Sequence, residues 1–512
     1  MSARIAAQGP VPLAWRSLCV ATLLACGAVI PAAFAAGDAG KPTMSPDAAA
    51  ATHKDDAFGP DPTYETKPYS EDAQLKIYGG KFNVQNPRPM LELGRPIYGS
   101  GPLQSSGTGM GVKNPTSDAF SIYGDWRTAV ARNVNGGART SVLATRLNLD
   151  IDYRFTATER VHAFVRPLDN VTEFTRCEFQ RNRSSNCTAK IDMKVDALFF
   201  EGDLAAMLAG WTGNYQKFDL AFAAGKMPLL FQNGIWLEDA ITGAAVSIPG
   251  KNSAALGISN MDVTFFTGQN DVNAGGVRDR FGALTKNHVK VYGATAFIEA
   301  NQGYWEVGYA YTDPRNELAD QHYNNFGLAF TRRYGGWLSN SVRVIHTFGQ
   351  KPNVTTAPTS NGTLLLVENS FVTSKPTTLV PYLNMFFGSG RPQSVARAVD
   401  AGGILKNTGI NFETDGLTGY PKLNDTGNNT YGGALGVEYL FALDQQLVFE
   451  LATTQTRKDL VSRTLVGREV GLGVRYQLTL DKAWIFRADA MIADRANTKD
   501  LAGVRFEIRR KF

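Results

Sequence analysis

From Val142 to Phe155, apolar and polar side chains alternate without a break. Leu143, Leu147, Leu149, Ile151, Tyr153 and Phe155 fall on one face, with Thr145 among them, and Arg146, Asn148, Asp150, Asp152 and Arg154 fall on the other. A period of two is the signature of a strand with two unlike faces. A soluble sandwich shows the same alternation, but its strands average ~5–6 residues and this run is ~14 long. A strand crossing a bilayer at a tilt needs ~9–11 residues and often projects beyond it. Length therefore favours the membrane. The pattern recurs: Ile191, Met193, Val195, Ala197 and Phe199 oppose Lys190, Asp192, Lys194 and Asp196, and Val470, Leu472, Val474, Tyr476 and Leu478 oppose Glu469, Gly471, Gly473, Arg475 and Gln477. Trp484, Phe486, Ala488, Ala490 and Ile492 likewise oppose Arg487 and Asp489.

Connections between these runs alternate in length. Short turns at Thr156–Glu159, Ala300–Gly303, Tyr334–Gly336, Ser374–Pro376, Asp444–Gln446 and Asp481–Lys482 are interleaved with long polar segments, of which Gly388–Asn429 is the largest. Short periplasmic turns and longer extracellular loops mark bacterial barrels. The pattern predicts an all-β fold, a transmembrane antiparallel β-barrel of about 18 strands beginning near Phe120. Sixteen is the alternative, because Gln232–Ser259 is weakly patterned. Val504, Phe506, Ile508 and the terminal Phe512 share one parity, an ending that resembles the signal read by the barrel assembly machinery.

The N-terminus reads as a signal peptide over residues 1–35: Arg4 and Arg16 precede an apolar run that closes at Ala33-Phe34-Ala35. Residues 36–118 form a short N-terminal periplasmic or plug segment, partly disordered, in which Leu75–Phe82 is a short strand or small plug; residues 119–512 form the barrel. The expected location is the bacterial outer membrane, with outer-membrane lipid and lipopolysaccharide as neighbours. A mean hydropathy of −0.19 and 19% charged residues suit such a barrel, whose strands are apolar only at alternate positions. The net charge of +5 is too small to argue for nucleic acid.

Cys177 and Cys187 remain after the signal, and an even pair in an exported chain predicts a disulfide stapling a surface loop, on the extracellular side by strand parity. No histidine lies beside them at ligand spacing, so neither a metal nor a cofactor is expected. The five histidines are scattered and no Gly-x-Ser-x-Gly elbow occurs, so no catalytic residues are expected.

The polar strand faces should line the interior. The substrate-path candidates are Arg146, Asp150, Asp152, Arg154, Arg160, Arg166, Lys190, Lys194, Arg475 and Arg487. Arg343, Arg505, Arg509, Asp192, Asp196, Glu306, Glu438, Glu450, Glu469, Asp489 and Glu507 share those faces. Two readings stand. One is a charge-balanced network bracing a wide barrel. The other is a basic ladder of Arg146, Arg154, Arg160 and Arg166 offered to carboxylated solutes, with Asp150 and Asp152 set between. Gly388–Asn429 either folds inward to constrict the lumen or stays a flexible external loop.

Residues 196–247 resemble the alginate-export family of outer-membrane channels. The resemblance is carried by Ala197-Leu198-Phe199-Phe200-Glu201-Gly202-Asp203-Leu204, by Phe222-Ala223-Ala224-Gly225-Lys226, and by Gly234, Trp236, Asp239 and Ala244. The chain departs from the family where Met227-Pro228 follows Lys226 and in lacking an excess of lumenal arginine. The resemblance implies an 18-stranded channel that passes hydrophilic solutes, anionic saccharides or polysaccharide among them, with a periplasmic export partner. Two other readings remain, a general diffusion porin without substrate preference and a sheath barrel that houses a partner protein.

Overall fold

The computed structural model describes residues 88–94, 105–170, 173–180, 185–279, 284, 289–352, 358–374, 378–442, 445–457 and 466–512. The signal peptide and the Leu75–Phe82 reading lie outside them. Eighteen strands form one closed antiparallel sheet. They are β1 (Ala119–Asn135), β2 (Ala138–Arg154), β3 in two pieces (Arg160–Val165 and Glu173–Gln180), β4 in two pieces (Asn186–Thr188 and Val195–Asp203), β5 (Ala221–Phe231) and β6 (Leu237–Ser253). Next come β7 (Ile258–Gln269), β8 (Val289–Ala300), β9 (Gly303–Pro314), β10 (Tyr323–Tyr334), β11 (Leu338–Phe348) and β12 (Asn361–Phe371). The set ends with β13 (Leu379–Arg391), β14 (Thr430–Ala442), β15 (Gln445–Thr456), β16 (Glu469–Thr479), β17 (Trp484–Arg495) and β18 (Leu501–Lys511). Each strand pairs with the next, and β18 closes on β1 through Arg509↔Arg127 and Arg505↔Ala131. A short strand, Leu91–Gly94, pairs with the start of β1.

The expected parity holds. On β2, Val142 and Ala144 point inward and are buried, while Leu143 and Tyr153 point outward and are exposed. The outer face carries Leu198, Phe265, Tyr309, Leu365, Leu435, Leu451, Leu472 and Phe506, all exposed. A closed barrel satisfies every strand edge internally, which is what a bilayer demands. Among the described residues no helix is long and apolar enough to cross a membrane.

Three sequence expectations need correction. First, the alternation at Lys190–Asp196 is a strand only from Val195. Residues 189–194 are irregular, because β3 is itself interrupted after Val165 and the backbone of Lys190 and Asp192 bonds to Thr175 and Pro167. Lys190 pairs with Glu173, which shares the outward parity of β3, and Lys194 is exposed. Lys190 therefore stands on the outer face. Second, the weakly patterned region at 232–259 contains the long strand β6. Its pattern is weak because its inward residues Leu237, Ile241 and Ala245 are apolar and buried while its outward residues include Ala240, Thr242 and Ala244. Third, the lumen is not polar throughout. From β6 to β13 the inward side chains Ile241, Val289, Val291, Ala310, Ile345, Leu364, Leu366 and Phe386 join one apolar core, so Leu364-Leu365-Leu366 faces the core and the membrane in turn.

The Cys177–Cys187 disulfide forms, joining directly opposed residues of the hairpin between β3 and β4. It staples two short strands that continue the barrel wall.

Candidate functional site: the constricted lumen

Residues 392–428, between β13 and β14, fold into the barrel. Apolar anchors seat them: Val395, Ala396, Leu405, Phe412 and Leu423 are fully buried. The wall makes room with glycines. A Cβ at Gly473 would lie 2.7 Å from Asn411 Oδ1, and one at Gly503 would lie 2.6 Å from Pro421 Cδ. These glycines occupy the inward face of β16 and β18, where any side chain would push the segment off. Glu450 receives the segment's turn, accepting hydrogen bonds from the Ile410 and Asn411 backbone N–H groups, each at 2.8 Å. Residues 232–236 also turn inward. Trp236 is fully buried, its ring against Gly308 and Gly327 and its Nε1 donating to Asn325 Oδ1 at 2.7 Å.

The wall opposite the apolar core is basic. Running across β16, β17, β18, β1, β2 and the break in β3, the inward positions carry Arg475, Arg487, Arg505, Arg509, Arg127, Arg146 and Arg166. Two cross-strand rows organise them. Arg475, Asp489 and Arg505 are in register on β16–β18, and Arg509, Arg127 and Arg146 are in register on β18–β2. Asp489 binds three of the arginines, at 2.7 Å from Arg475, 2.9 Å from Arg487 and 2.7 Å from Arg505.

The inward segment completes this array with three carboxylates. Asp400 lies 3.1 Å from Arg146 and 2.6 Å from Arg166. Glu413 pairs with Arg475 and lies 3.0 Å from Arg487. Asp415 lies 2.7 Å from Arg505. On the segment's other flank, Lys406 and Arg397 pair with Glu238. Between the flanks a cavity of about 400 Å³ is lined by Glu238, Ala398, Asp400, Ala401, Lys406, Asn407, Glu413 and Thr414. The segment's carboxylates are more exposed than the arginines beneath them: 37% for the Glu413 side chain against 16% for Arg475, and 13% for Asp415 against 3% for Arg505.

The sequence-predicted residues thus divide. Arg146, Arg166, Arg475 and Arg487 meet at the inward segment. Arg166 also binds Asp196 at 2.7 Å, and Arg146 lies 2.6 Å from the buried Asp169. Asp150, Asp152, Arg154 and Arg160 lie nearer the short-turn end. There Asp152 accepts from Tyr123 at 2.7 Å and contacts His162 at 2.8 Å, His162 also lies 3.4 Å from Asp150, and Arg160 pairs with Glu201. Arg154 stands opposite Arg160 in register. The four arginines Arg146, Arg154, Arg160 and Arg166 therefore form two separate groups, each held among carboxylates, and not one ladder. Asp400 of the segment, absent from the sequence reading, covers Arg146 and Arg166, while Asp152 and Glu201 hold Arg160.

The docking is expected to be acid-sensitive. Burial pushes the Asp400, Glu413 and Asp415 carboxyls up, but Arg166 and Arg146, Arg475 and Arg487, and Arg505 respectively outweigh it and hold them below the ordinary 3.8 of an aspartate and 4.5 of a glutamate. A lowered folded value means stabilisation that is complete above the unfolded value and lost as pH falls through the folded one. The segment is therefore expected to stay docked above about pH 4.5 and to loosen progressively in stronger acid. Single-channel recordings across pH 7 to 3 should show added current noise and a larger mean conductance only at the acid end. Constant traces down to pH 3 would exclude these three groups as the latch.

A closed barrel with an apolar outer face and a charged interior fits one environment. The chain is an outer-membrane β-barrel. No protein-family model and no curated protein matches it, so the likeness of residues 196–247 to alginate-export channels remains one of short motifs. Within those motifs, Asp203 caps the helix α1 (Leu204–Thr212), Gly225 allows close approach to Leu198 and Phe199, and Trp236 belongs to the lumenal core. Solved structures of similar shape include OccAB4 of Acinetobacter baumannii, 9% identical with a TM-score of 0.49, covering 80% of this chain and 100% of that one. OccK5 (OpdH) of Pseudomonas aeruginosa is 10% identical with a TM-score of 0.48, over 77% of this chain and 98% of that one. The outer membrane protein OprD of Pseudomonas aeruginosa is 9% identical with a TM-score of 0.48, over 76% and 93%.

Proposed function

We propose that the chain is a diffusion channel for small hydrophilic solutes, narrowed by its own inward segment and only weakly selective for charge. It acts as a conduit and not as an enzyme. The observation that carries this reading is the pairing of the basic wall with Asp400, Glu413 and Asp415, which leaves a polar cavity bordered by both signs of charge. A pore with strong selectivity presents rings of one sign; here each arginine of the wall has an acidic neighbour. The lumen is occupied by residues 232–236 and 392–428 of this chain, which speaks against a sheath around a partner protein.

A second reading, preference for anionic saccharides, is favoured by the seven-arginine wall. It requires the segment's carboxylates to yield their arginines to those of the solute, since Arg binds either bidentately. Swelling of vesicles containing the protein separates the two. The weak-selectivity reading predicts that a neutral monosaccharide and a uronic acid of equal size enter at rates within about threefold of each other. Uptake of the uronic acid more than about tenfold faster would favour the anionic preference.

A further inference from the structure

A ledge of chain is fastened to the outer side of the barrel at one rim. Asp118, Tyr153 and Glu159 hold it, and strand parity places all three outward. On β1 and β2, Ala129, Ala131, Val142 and Ala144 are buried on the lumen side, so Asp118 and Tyr153 belong to the opposite face. Tyr153 Oη donates to Asp118 Oδ1 at 3.2 Å, and Ser106 Oγ donates to Asp118 Oδ2 at 2.7 Å. On β4, Phe199 points inward, which turns Gly202 outward, and a Cβ there would lie 3.0 Å from Glu159 Cγ. Glu159 in turn accepts from Asn114 Nδ2 at 2.8 Å. Residues 105–118 are thereby tied to the lipid side of the wall beside the Thr156–Glu159 turn, the periplasmic rim when the long loops face outside. The helix α1 rests on them. A Cβ at Gly210 would lie 2.0 Å from the Met110 carbonyl oxygen, and one at Gly111 would lie 2.1 Å from the Gly210 carbonyl oxygen, so only glycines let the two backbones meet.

The ledge is apolar where a periplasmic turn is ordinarily polar. Val112, Trp211, Tyr215 and Phe218 are all exposed, Val112 at 76% and Tyr215 at 73%. Lys113 Nζ lies 4.6 Å over the Tyr215 ring, which joins the two segments at a second place. Single exposed apolar residues are ordinary, but several on one tied unit mark an interaction surface. Its neighbour indicates what covers it. Tyr153, Phe155, Phe200 and Phe222 form a chain of rings on the adjoining outer wall, with successive centroids 4.6, 6.3 and 5.8 Å apart. Rings at the end of a barrel's lipid face form the girdle that sits at headgroup level. Trp211 and Tyr215 extend that girdle, and the exposed Lys113 and Lys217 suit the same level, where long stems lie on apolar surface and ammonium groups reach water. The exposed Asp118 and Asp219 match the two lysines, so the surface is near neutral and selects no lipid by charge. The apolar ledge is continuous with a wall that already faces lipid.

We propose that this ledge is seated in the periplasmic leaflet of the outer membrane, with Val112, Trp211, Tyr215 and Phe218 among the glycerol and upper acyl groups of the phospholipids. The site lies outside the lumen and does not depend on the channel reading. The test is fluorescence quenching of the full chain and its Trp211→Phe variant, each refolded in vesicles of phosphatidylethanolamine and phosphatidylglycerol. The difference between their emissions isolates Trp211. Brominated phospholipids in the bilayer are expected to remove most of that emission, while iodide on both sides of the membrane leaves it nearly unchanged. Bromines near the glycerol end of the chains should quench more than bromines near the chain tips, because an interfacial helix lies about 5–10 Å deep. Heat-modifiable gel mobility checks that the variant is folded. If it is not, Tyr215→Trp in the natural chain supplies the same difference at a neighbouring point of the ledge. Stronger quenching by iodide than by bromines would put the ledge in the periplasm and overturn the proposal. Protection from both quenchers would overturn it too, since a second copy of the chain would then be the cover.

Discussion

Changing Asp400, Glu413 and Asp415 together to their amides makes the pore anion-selective. Among the described residues the three carboxylates are the segment's acidic contacts with the arginine wall, and the amides keep their shape while removing three negative charges. At ~8 Å in water one unit charge contributes about 0.5 kcal/mol to an ion's energy. Three contribute about 1.5 kcal/mol before screening, and the Debye length of ~10 Å at 0.1 M salt leaves a good part of that. The effect has opposite sign for anions and cations, so the permeability ratio is expected to shift by about tenfold toward anions. Leu405, Phe412 and Leu423 keep the segment inside the barrel while the lost ion pairs loosen it, so mean conductance is expected to rise along with the shift in selectivity. Reversal potentials in a salt gradient read the change directly. A ratio within about twofold of the natural chain's would mean that these carboxylates do not border the conducting path.

The second large effect concerns stability. Replacing Asp489 by Ala removes the anion shared by Arg475, Arg487 and Arg505 and leaves three guanidinium groups crowded on a buried wall. Breaking a buried pair by deleting one partner costs about 3–5 kcal/mol, because the remaining charge stays desolvated. Glu413 and Asp415 neutralise part of the excess, so the lower end, about 3 kcal/mol, is expected. Urea unfolding of the refolded barrel in vesicles measures it. Adding Arg487→Met should restore about 1 kcal/mol or more, since the double change deletes one of the repelling cations. A loss under about 1 kcal/mol for the single variant would show that the cluster is solvated and not a brace.

Much of the fold was legible in the chain. Strand parity, the even count of 18, the alternation of short and long connections from β6 onward, the inward-facing charges of β2, β16 and β17 and the Cys177–Cys187 bridge all follow from period-two patterning and turn chemistry. Local pattern failed where tertiary packing decided the outcome. Leu364-Leu365-Leu366 does not alternate, because loops pack against its inner face as lipid does against its outer one. Lys190 and Lys194 alternate as if in a strand, yet the break in β3 turns Lys190 to the outer face. Asp400, Glu413 and Asp415 sit in a stretch without periodicity. Their partners lie 254 positions away for Arg146 and 74 for Arg487, distances no local signal spans. One trace was present: Gly471, Gly473 and Gly503 on the polar face mark where another segment presses against the wall.

The fold and its paired charges imply an open but narrowed pore with balanced charge. Single-channel recording of the refolded full chain in a planar bilayer, under a salt gradient at neutral pH, tests it most directly. Steady currents with a reversal potential close to zero are the predicted result. A correctly folded barrel that stays silent, or one whose reversal potential sits at the anion limit, would contradict it.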